Sequence, residues 1–337
     1  MVLTSGHRHR QNMIYEDRIY GKIEITEPVI LDLINCPTMQ RLKEIDQAGY
    51  FEPFYPETAY TRFEHSIGVY ILLKMYNASI EEQISGLIHD VSHSAFSHCI
   101  DYVLDNGSEK KHSYQDDIFN EFVRKSEIPQ ILNKYNLDLN YILDDNNFPL
   151  KETSIPELCA DRIDYSLRTA VVFKEIENIE YFINNLSAKD NKWVFNNFPS
   201  AEKFAQLFLK LNNYYYAGLP SAVMFKTTGD FLRYSLLKNY ISKNDLYTTD
   251  KMVLDKIKPH IKTDPELSLL FDRMNNKIKF ENNPNDYNGK VFCKSRVVNP
   301  LFYHEGAIKK VSEINKNWNK VLEQELKPKE YFIRFDK

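Results

Sequence analysis

Glycine is scarce in this chain, with ten among 337 residues. That argues against a turn-rich, predominantly β architecture, in which glycine supplies the positive-φ positions of tight turns. Cysteine is scarcer still. Cys36, Cys99, Cys159 and Cys293 stand far apart and form no CxxC pair, so neither a thiolate zinc clip nor a disulfide scaffold is expected. They read as buried thiols in a reducing compartment. Long apolar runs are missing: nothing approaches the roughly 18 residues of a membrane span. The opening MVLTSGHRHRQNMIYEDR carries no apolar core of a secretory signal, so the expected setting is cytoplasmic, away from membrane. An excess of one charge is also lacking, with 43 Lys and Arg against 47 Asp and Glu and a net charge of -4. That gives no global basic footprint for nucleic acid, while a local basic pocket for a phosphorylated small molecule stays open.

What is present is an ordinary globular composition, 43% hydrophobic and 27% charged. The length suits about two domains, or one with an elaborated periphery. Residues 1–14 read as a flexible leader, 15–175 as a helical core, and 176–337 as a mainly helical part with short strands packed on that core. YEDRIYGKIEITE suggests strand structure around a turn at Gly21. Val29, Ile30, Leu33 and Ile34, then Met39, Leu42 and Ile45, follow helical spacing, with Pro37 opening a second helix and Gly49 as its stop. Residues 50–61 read as loop. Helices are predicted over 62–76, 80–91, 113–126 and 155–173, with a polar loop over 138–149. The pattern then predicts a hairpin over 182–196, a long helix over 201–241, and short helices mixed with the polar loop ENNPNDYNG over 242–290. A strand over 290–298, a helix over 305–325 and a strand over 331–335 follow. The expected fold class is mostly α with small β-hairpin additions.

Five of the nine histidines, His65, His89, His93, His98 and His112, fall between positions 65 and 112, where composition alone gives about one. On a continuous helix His89 and His93 would sit about 40° apart and face one cleft, with Asp90 about 100° from His89. Imidazole and carboxylate without thiolate suit a catalytic Zn, Mn, Fe or Mg site rather than a structural zinc. A lone His-Asp dipeptide is more often chance or a helix cap. His65 in TRFEHSIGV, and Asp161 and Asp164 in ELCADRIDYSLR, shift that weighting. Polar groups converging from separate helices are what a metal-binding helical core requires.

The order H…HD…D, carried by TRFEHSIGVY, LIHDVSHSAFSH and ADRIDYSLR after QRLKEIDQAG, resembles the HD superfamily of metal-dependent phosphohydrolases. Within it the chain looks like the deoxynucleoside triphosphate triphosphohydrolase branch. The resemblance covers residues 15–175 and is loose beyond 180. It implies an HD-domain helical core and a divalent cation (Mn, Mg, Fe, Co or Zn) held by His65, His89, Asp90 and Asp161. His112, in KKHSYQ, would be the general acid, with Asp101 pairing with it and raising its pKa. His93 and His98 would lie beside the phosphates, Arg62 and Arg162 would meet phosphate oxygens, and Gln47 and Tyr165 would meet the sugar. The implied substrate is a nucleotide, a dNTP first, cleaved to deoxynucleoside and tripolyphosphate.

The chain also departs from that branch. NNYYYAGLPSAVMFKTTG stands where the branch has a helix with additional basic residues, and only Lys226 is basic in it. Thr169 replaces a frequent Asp, and Val91-Ser92-His93 replaces a hydrophobic-Gly-His pattern. A nucleoside monophosphatase or other phosphoester hydrolase is therefore an alternative. So is a non-catalytic HD protein that binds nucleic acid or regulates, though the full ligand set and the acidic net charge weigh against it. Tyr214-Tyr215-Tyr216 read as core packing before base stacking. His7 and His9 read as polar leader before a second metal site, and His260 and His304 as surface residues. A homo-oligomer is expected; the amphipathic EINKNWNKVLEQELK reads as a solvated helix docked by Ile314, Trp318 and Leu322 before a dimer contact.

Overall fold

The computed structural model describes residues 12–104 and 107–336. Most of the expected leader, His7 and His9 included, lies outside the described residues, but residues 13 and 14 already belong to a strand. That strand, β1 (Met13–Asp17), pairs antiparallel with β2 (Gly21–Ile25), and Gly21 at the turn has φ 73°. Pro28 opens the helix Pro28–Ile34 and Pro37 the helix Pro37–Arg41, each where the missing N–H has no intrahelical partner to lose. Gly49 does not stop a helix, because a 3-10 turn over Leu42–Glu44 has already ended the helical path. Its φ of 136° instead lets the backbone pass Cys99, whose Sγ would lie 2.7 Å from an added Cβ.

The helix Arg62–Met75 is buried on almost every side, which explains why its apolar residues do not form a single stripe. Val69, Leu72 and Leu73 pack with Ile163, Leu167 and Phe204. Ile67, Tyr70 and Ile71 pack with Ile84, Leu87 and Ile30. The flanking helices are Ile80–Ile88 and Ala160–Val172. A third cluster joins Phe96, Cys99 and Ile100 to Met224, Phe231 and Leu232 of the helix Leu219–Leu237. The later half of the chain therefore closes the core around the histidine-rich segment. All four cysteines are buried and free. No helix among the described residues is long and apolar enough to cross a membrane.

The expected hairpin is β3 (Leu186–Lys189) and β4 (Lys192–Phe195). Asp190 and Asn191 turn it with φ 49° and 58°, as a two-residue hairpin loop requires. Several expectations need correction. The long helix is two, Phe198–Leu211 and Leu219–Leu237, separated by a π-turn over Asn212–Tyr216; Pro220 lacks the N–H to continue the first. The polar stretch after Asp138 holds the helix Leu139–Leu143, with the Asp138 carboxylate capping it. The tail helix is preceded by a hairpin of β7 (Leu301–His304) and β8 (Ala307–Lys310), turned at Glu305 and Gly306. Helices then run over Val311–Ile314 and Trp318–Glu325 only. The last strand, β9 (Lys329–Phe335), lies between β5 (Phe280–Asn282) and β6 (Gly289–Cys293), while β3, β4, β7 and β8 make a four-stranded sheet.

Candidate metal centre

His65 projects from the first turn of the helix Arg62–Met75. Thr61 caps that turn, accepting from the Glu64 N–H while the Glu64 carboxylate accepts from the Thr61 N–H. Asp161 projects from the first turn of Ala160–Val172. The helix Ile80–Ile88 stops before the His-Asp pair, with His89 as its C-cap. His89 and His93 therefore do not share a helix face. His89 and Asp90 instead enter the cleft from a turn.

The side chains converge. His65 Nε2 lies 2.8 Å from Asp161 Oδ1 and 3.2 Å from His89 Nε2, and His89 Nε2 lies 3.5 Å from Asp161 Oδ1. Asp90 joins less closely, 3.5 Å from His89 Nε2 and 3.7 Å from His65 Nε2, because Arg62 Nη1 draws its carboxylate at 2.7 Å. Both imidazoles are oriented from behind. His65 Nδ1 donates to Asp164 Oδ2 at 2.7 Å and His89 Nδ1 to the Gly86 carbonyl at 2.7 Å. With Nδ1 held by those acceptors in each ring, it is Nε2 that faces the cluster, open to a proton or a cation, as a metal ligand requires. Donors about 2.1 Å from one cation stand roughly 3.0–3.4 Å apart, so the observed spacing fits. The site also favours positive charge: burial opposes protonation of His65, yet Asp161 and Asp164 hold its imidazole up at about 9.

Behind His65 runs a buried ionic chain. Arg168 donates to Asp164 at 2.9 and 3.1 Å and to Asp17 Oδ2 of β1 at 3.1 Å. Asp164 and Arg168 are fully buried, and Asp17 is 4% exposed. The chain passes so close to the helix Arg62–Met75 that a Cβ on Gly68 would lie 2.1 Å from both Arg168 Nη2 and Asp164 Oδ1.

The other expected site residues lie around the same cleft, with corrections. Asp101 does not pair with His112; its Oδ2 lies 3.9 Å from His98 Nδ1, and its Oδ1 accepts the Ser108 and Tyr114 N–H groups. Burial pushes the Asp101 carboxyl up to about 6. The Tyr102 hydroxyl donates to the Phe292 carbonyl, so the 2.8 Å contact between that oxygen and His112 Nε2 makes Nε2 the protonated nitrogen. His112 Nδ1 is then a buried acceptor. Burial and the nearby Arg296 and Lys294 hold its pKa well below the usual histidine range, the opposite of the expected direction. His93 Nε2 lies 3.3 Å from Asp90 Oδ1.

Arg62 and Arg162 are engaged by protein rather than open to phosphate. Arg62 donates to Ser97 Oγ, Asp90 and the Gln47 carbonyl. Arg162 donates to Glu152, Cys159 Sγ and the Glu157 and Thr153 carbonyls. Before His98 the backbone turns through left-handed φ at Phe96 (58°) and Ser97 (45°), strained for residues with side chains. Asp250, accepting the Phe96 N–H, and Ser97 Oγ, bound to Arg62 and the Asp46 carbonyl, hold that turn.

The cluster opens on a polar cavity of about 1000 Å³ that also exposes His98, His112, Lys110, Lys111, Lys294 and Arg296. A smaller cavity of about 90 Å³ adjoins it, walled by Phe51, Tyr60, Tyr215, Tyr216 and Phe225, with Gln47, Tyr165, His98, His112 and Arg296 at both. Thr169 meets the Tyr60 hydroxyl there at 3.1 Å. Lys226, the one cation expected from its stretch, is paired with Asp230 and lines neither cavity. Sequence reasoning missed Lys294 and Arg296, which lie beyond the stretch that carries the resemblance, and Asp17, which lies inside it but gains its role only through Arg168.

Comparison with known proteins agrees with this geometry. Residues 62–169 match the HD domain family. The uncharacterized protein YdhJ of Bacillus subtilis is 36% identical over 77% of this chain and 79% of its own length. The metal-dependent phosphohydrolase cns2 of Cordyceps militaris is 33% identical over 59% of this chain and 54% of its own. Deoxynucleoside triphosphate triphosphohydrolase SAMHD1 of Gallus gallus is 28% identical over 43% of this chain and 27% of its own. The crystal structure of a phosphohydrolase from Bacteroides thetaiotaomicron superposes over 97% of this chain and 100% of that one, with a TM-score of 0.73 at 19% identity, and so shares the fold. The chain belongs to the HD superfamily of metal-dependent phosphohydrolases.

Proposed function

We propose that this phosphohydrolase acts on nucleotides, a dNTP first, releasing deoxynucleoside and tripolyphosphate, with one divalent cation held by His65, His89, Asp90 and Asp161. The observation that carries the reading is the opening of that donor cluster onto a cation-lined cavity joined to a small aromatic one. Such a pair of cavities suits a ligand with an anionic tail and a flat or ring-shaped body. A divalent cation supplies Lewis-acid polarisation of the phosphoryl oxygen and a more acidic water.

The protein groups divide the remaining work. His98 and His112 both face the two cavities, and burial with the neighbouring cations holds both imidazoles well below the usual histidine range. His98, the ring nearer Asp101, is the proton donor to the leaving oxygen once the phosphates' negative charge joins it. His112 accepts a hydrogen bond through Nδ1. Arg62 and His93 position Asp90. Gln47 Oε1 and the Tyr165 hydroxyl are buried without partners and line both cavities, so they read the sugar. Thr169, neutral and bonded to Tyr60, offers that sugar no charge. A nucleoside monophosphatase uses the same cluster and is the second reading, favoured by Arg62 and Arg162 being engaged elsewhere.

The metal-loaded protein (Mn, Mg, Co or Fe) is incubated with dNTPs, nucleoside monophosphates and a generic phosphate ester. Tripolyphosphate as product supports the first reading. Orthophosphate from monophosphates alone replaces it with the second. No turnover together with tight oligonucleotide binding would leave only a non-catalytic role.

A further inference from the structure

The chain leaves β6 in extended form. Val291, Cys293, Ser295 and Val297 are buried, while Phe292, Lys294 and Arg296 alternate with them and are partly exposed. This alternation of burial puts Lys294 and Arg296 on one face, and both line the large cavity with the donor cluster. Arg296 alone reaches the junction with the aromatic cavity. Their backbone is clamped. Asn212, fully buried in the π-turn, accepts the Arg296 N–H at 2.8 Å through its Oδ1 and donates to Ser295 Oγ at 3.0 Å through its Nδ2. Ser295 Oγ also meets Glu325 at 3.0 Å.

Three other cations of this cavity are neutralised, Arg62 by Asp90, Lys151 by Asp145 and Arg162 by Glu152, while Lys110 and Lys111 are exposed to solvent, Lys110 lying over the Phe292 ring. Lys294 and Arg296 form no ion pair among the described residues; Arg296 Nη1 only approaches the Lys294 carbonyl at 3.4 Å. Asp116, on the same cavity, and Asp101 attract the Lys294 ammonium without forming an ion pair with it. Burial and the neighbouring Arg296 hold the Lys294 ammonium down at about 8. Two adjacent like charges in a semi-enclosed site, with no counter-charge paired to them, are unfavourable until an anion joins them.

We infer that Lys294 and Arg296 form the seat of a phosphate chain, so that the cavity takes a nucleoside polyphosphate, with the phosphates running from the Arg296 junction toward Lys294. This rests on the nucleotide-phosphohydrolase reading and deepens it, naming the residues that select polyphosphate over monophosphate. It also resolves the missing basic residues of the 212–229 stretch, since the cations come from a strand exit some 70 residues later.

Isothermal titration of the Mn-loaded full chain with orthophosphate and with inorganic tripolyphosphate tests it, alongside turnover of a dNTP and of a generic phosphomonoester. Tripolyphosphate is expected to bind at least about tenfold tighter than orthophosphate, and Lys294→Gln and Arg296→Gln each to weaken it about tenfold. The double variant should lose the preference. The charge-keeping Lys294→Arg and Arg296→Lys should retain most of it, which separates charge from any effect on folding. If the wild type cleaves a phosphoester and the double variant keeps its tripolyphosphate preference, the inference fails while the phosphohydrolase reading stands. If the metal-loaded wild type turns over neither substrate, the reading fails and this inference with it.

Discussion

The metal side of the cavity and its substrate side treat buried polar atoms in opposite ways. On the metal side three of the four donors are tied from behind: His65 by Asp164, His89 by the Gly86 carbonyl, Asp90 by Arg62. On the substrate side Gln47 Oε1, the hydroxyls of Tyr165 and Tyr216, and Nδ1 of His98 and His112 are buried with no partner. An unsatisfied buried polar atom costs roughly 1–3 kcal/mol, so a row of them marks where a ligand supplies the missing partners. The difference teaches that the cation's place is built by folding itself, whereas the substrate's place is completed only on binding.

The largest effects should come from breaking the preorganised side. Asp90→Ala is expected to leave less than about a tenth of the wild-type metal content and to lower kcat/KM by on the order of 10³-fold, read by elemental analysis of dialysed protein and by product release. His98→Ala comes next, with kcat down about 10²–10⁴-fold at normal metal content. His112→Ala should act mainly on KM, and a larger kcat loss there than in His98→Ala would reverse the assignment of the proton donor. Asp164→Asn loosens the hold on His65 and removes the charge paired with Arg168, and should weaken metal binding about 10–100-fold, measurable by chelator competition.

Two smaller effects sharpen the contrast and are read through stability. Gly68→Ala forces a Cβ against the Asp164–Arg168 pair and should cost about 1–3 kcal/mol, seen as a lowered Tm. Asp250 accepts the Asp46 and Phe96 N–H groups, and burial pushes its carboxyl up to about 7. The native state thus keeps a proton that the unfolded chain releases near pH 4. That stabilisation is full below pH 4, is lost as pH rises through 7, and is flat above. Between pH 5.5 and 8, Tm should therefore fall less in Asp250→Asn than in wild type.

The sequence was informative where chemistry and periodicity coincide. His65, His89, Asp90 and Asp161 stand out by residue type and local motif, and the structure brings their side chains together. The β3–β4 hairpin was visible because Asp190-Asn191 is a turn pair between two short strand runs. What stayed hidden depends on long-range contact. Asp17 gains meaning only through Arg168, 151 residues away. Lys294 and Arg296 look like ordinary surface cations until the strand exit turns one face to the cavity. The Asp101–His112 pairing went wrong because His98, one turn before Asp101, is the nearer ring, and the Tyr102 hydroxyl occupies His112 Nε2. The break at residues 212–218 was masked by continuous helical spacing on both sides of a π-turn.

Anomalous diffraction from a crystal grown with Mn tests the central claim most directly. One peak is expected, roughly 2.0–2.3 Å from donor atoms of His65, His89, Asp90 and Asp161. Among the described residues one other group has metal-ligand spacing, Glu152, Cys159 and Asp161. A peak there instead, or none in the cleft, would contradict the account.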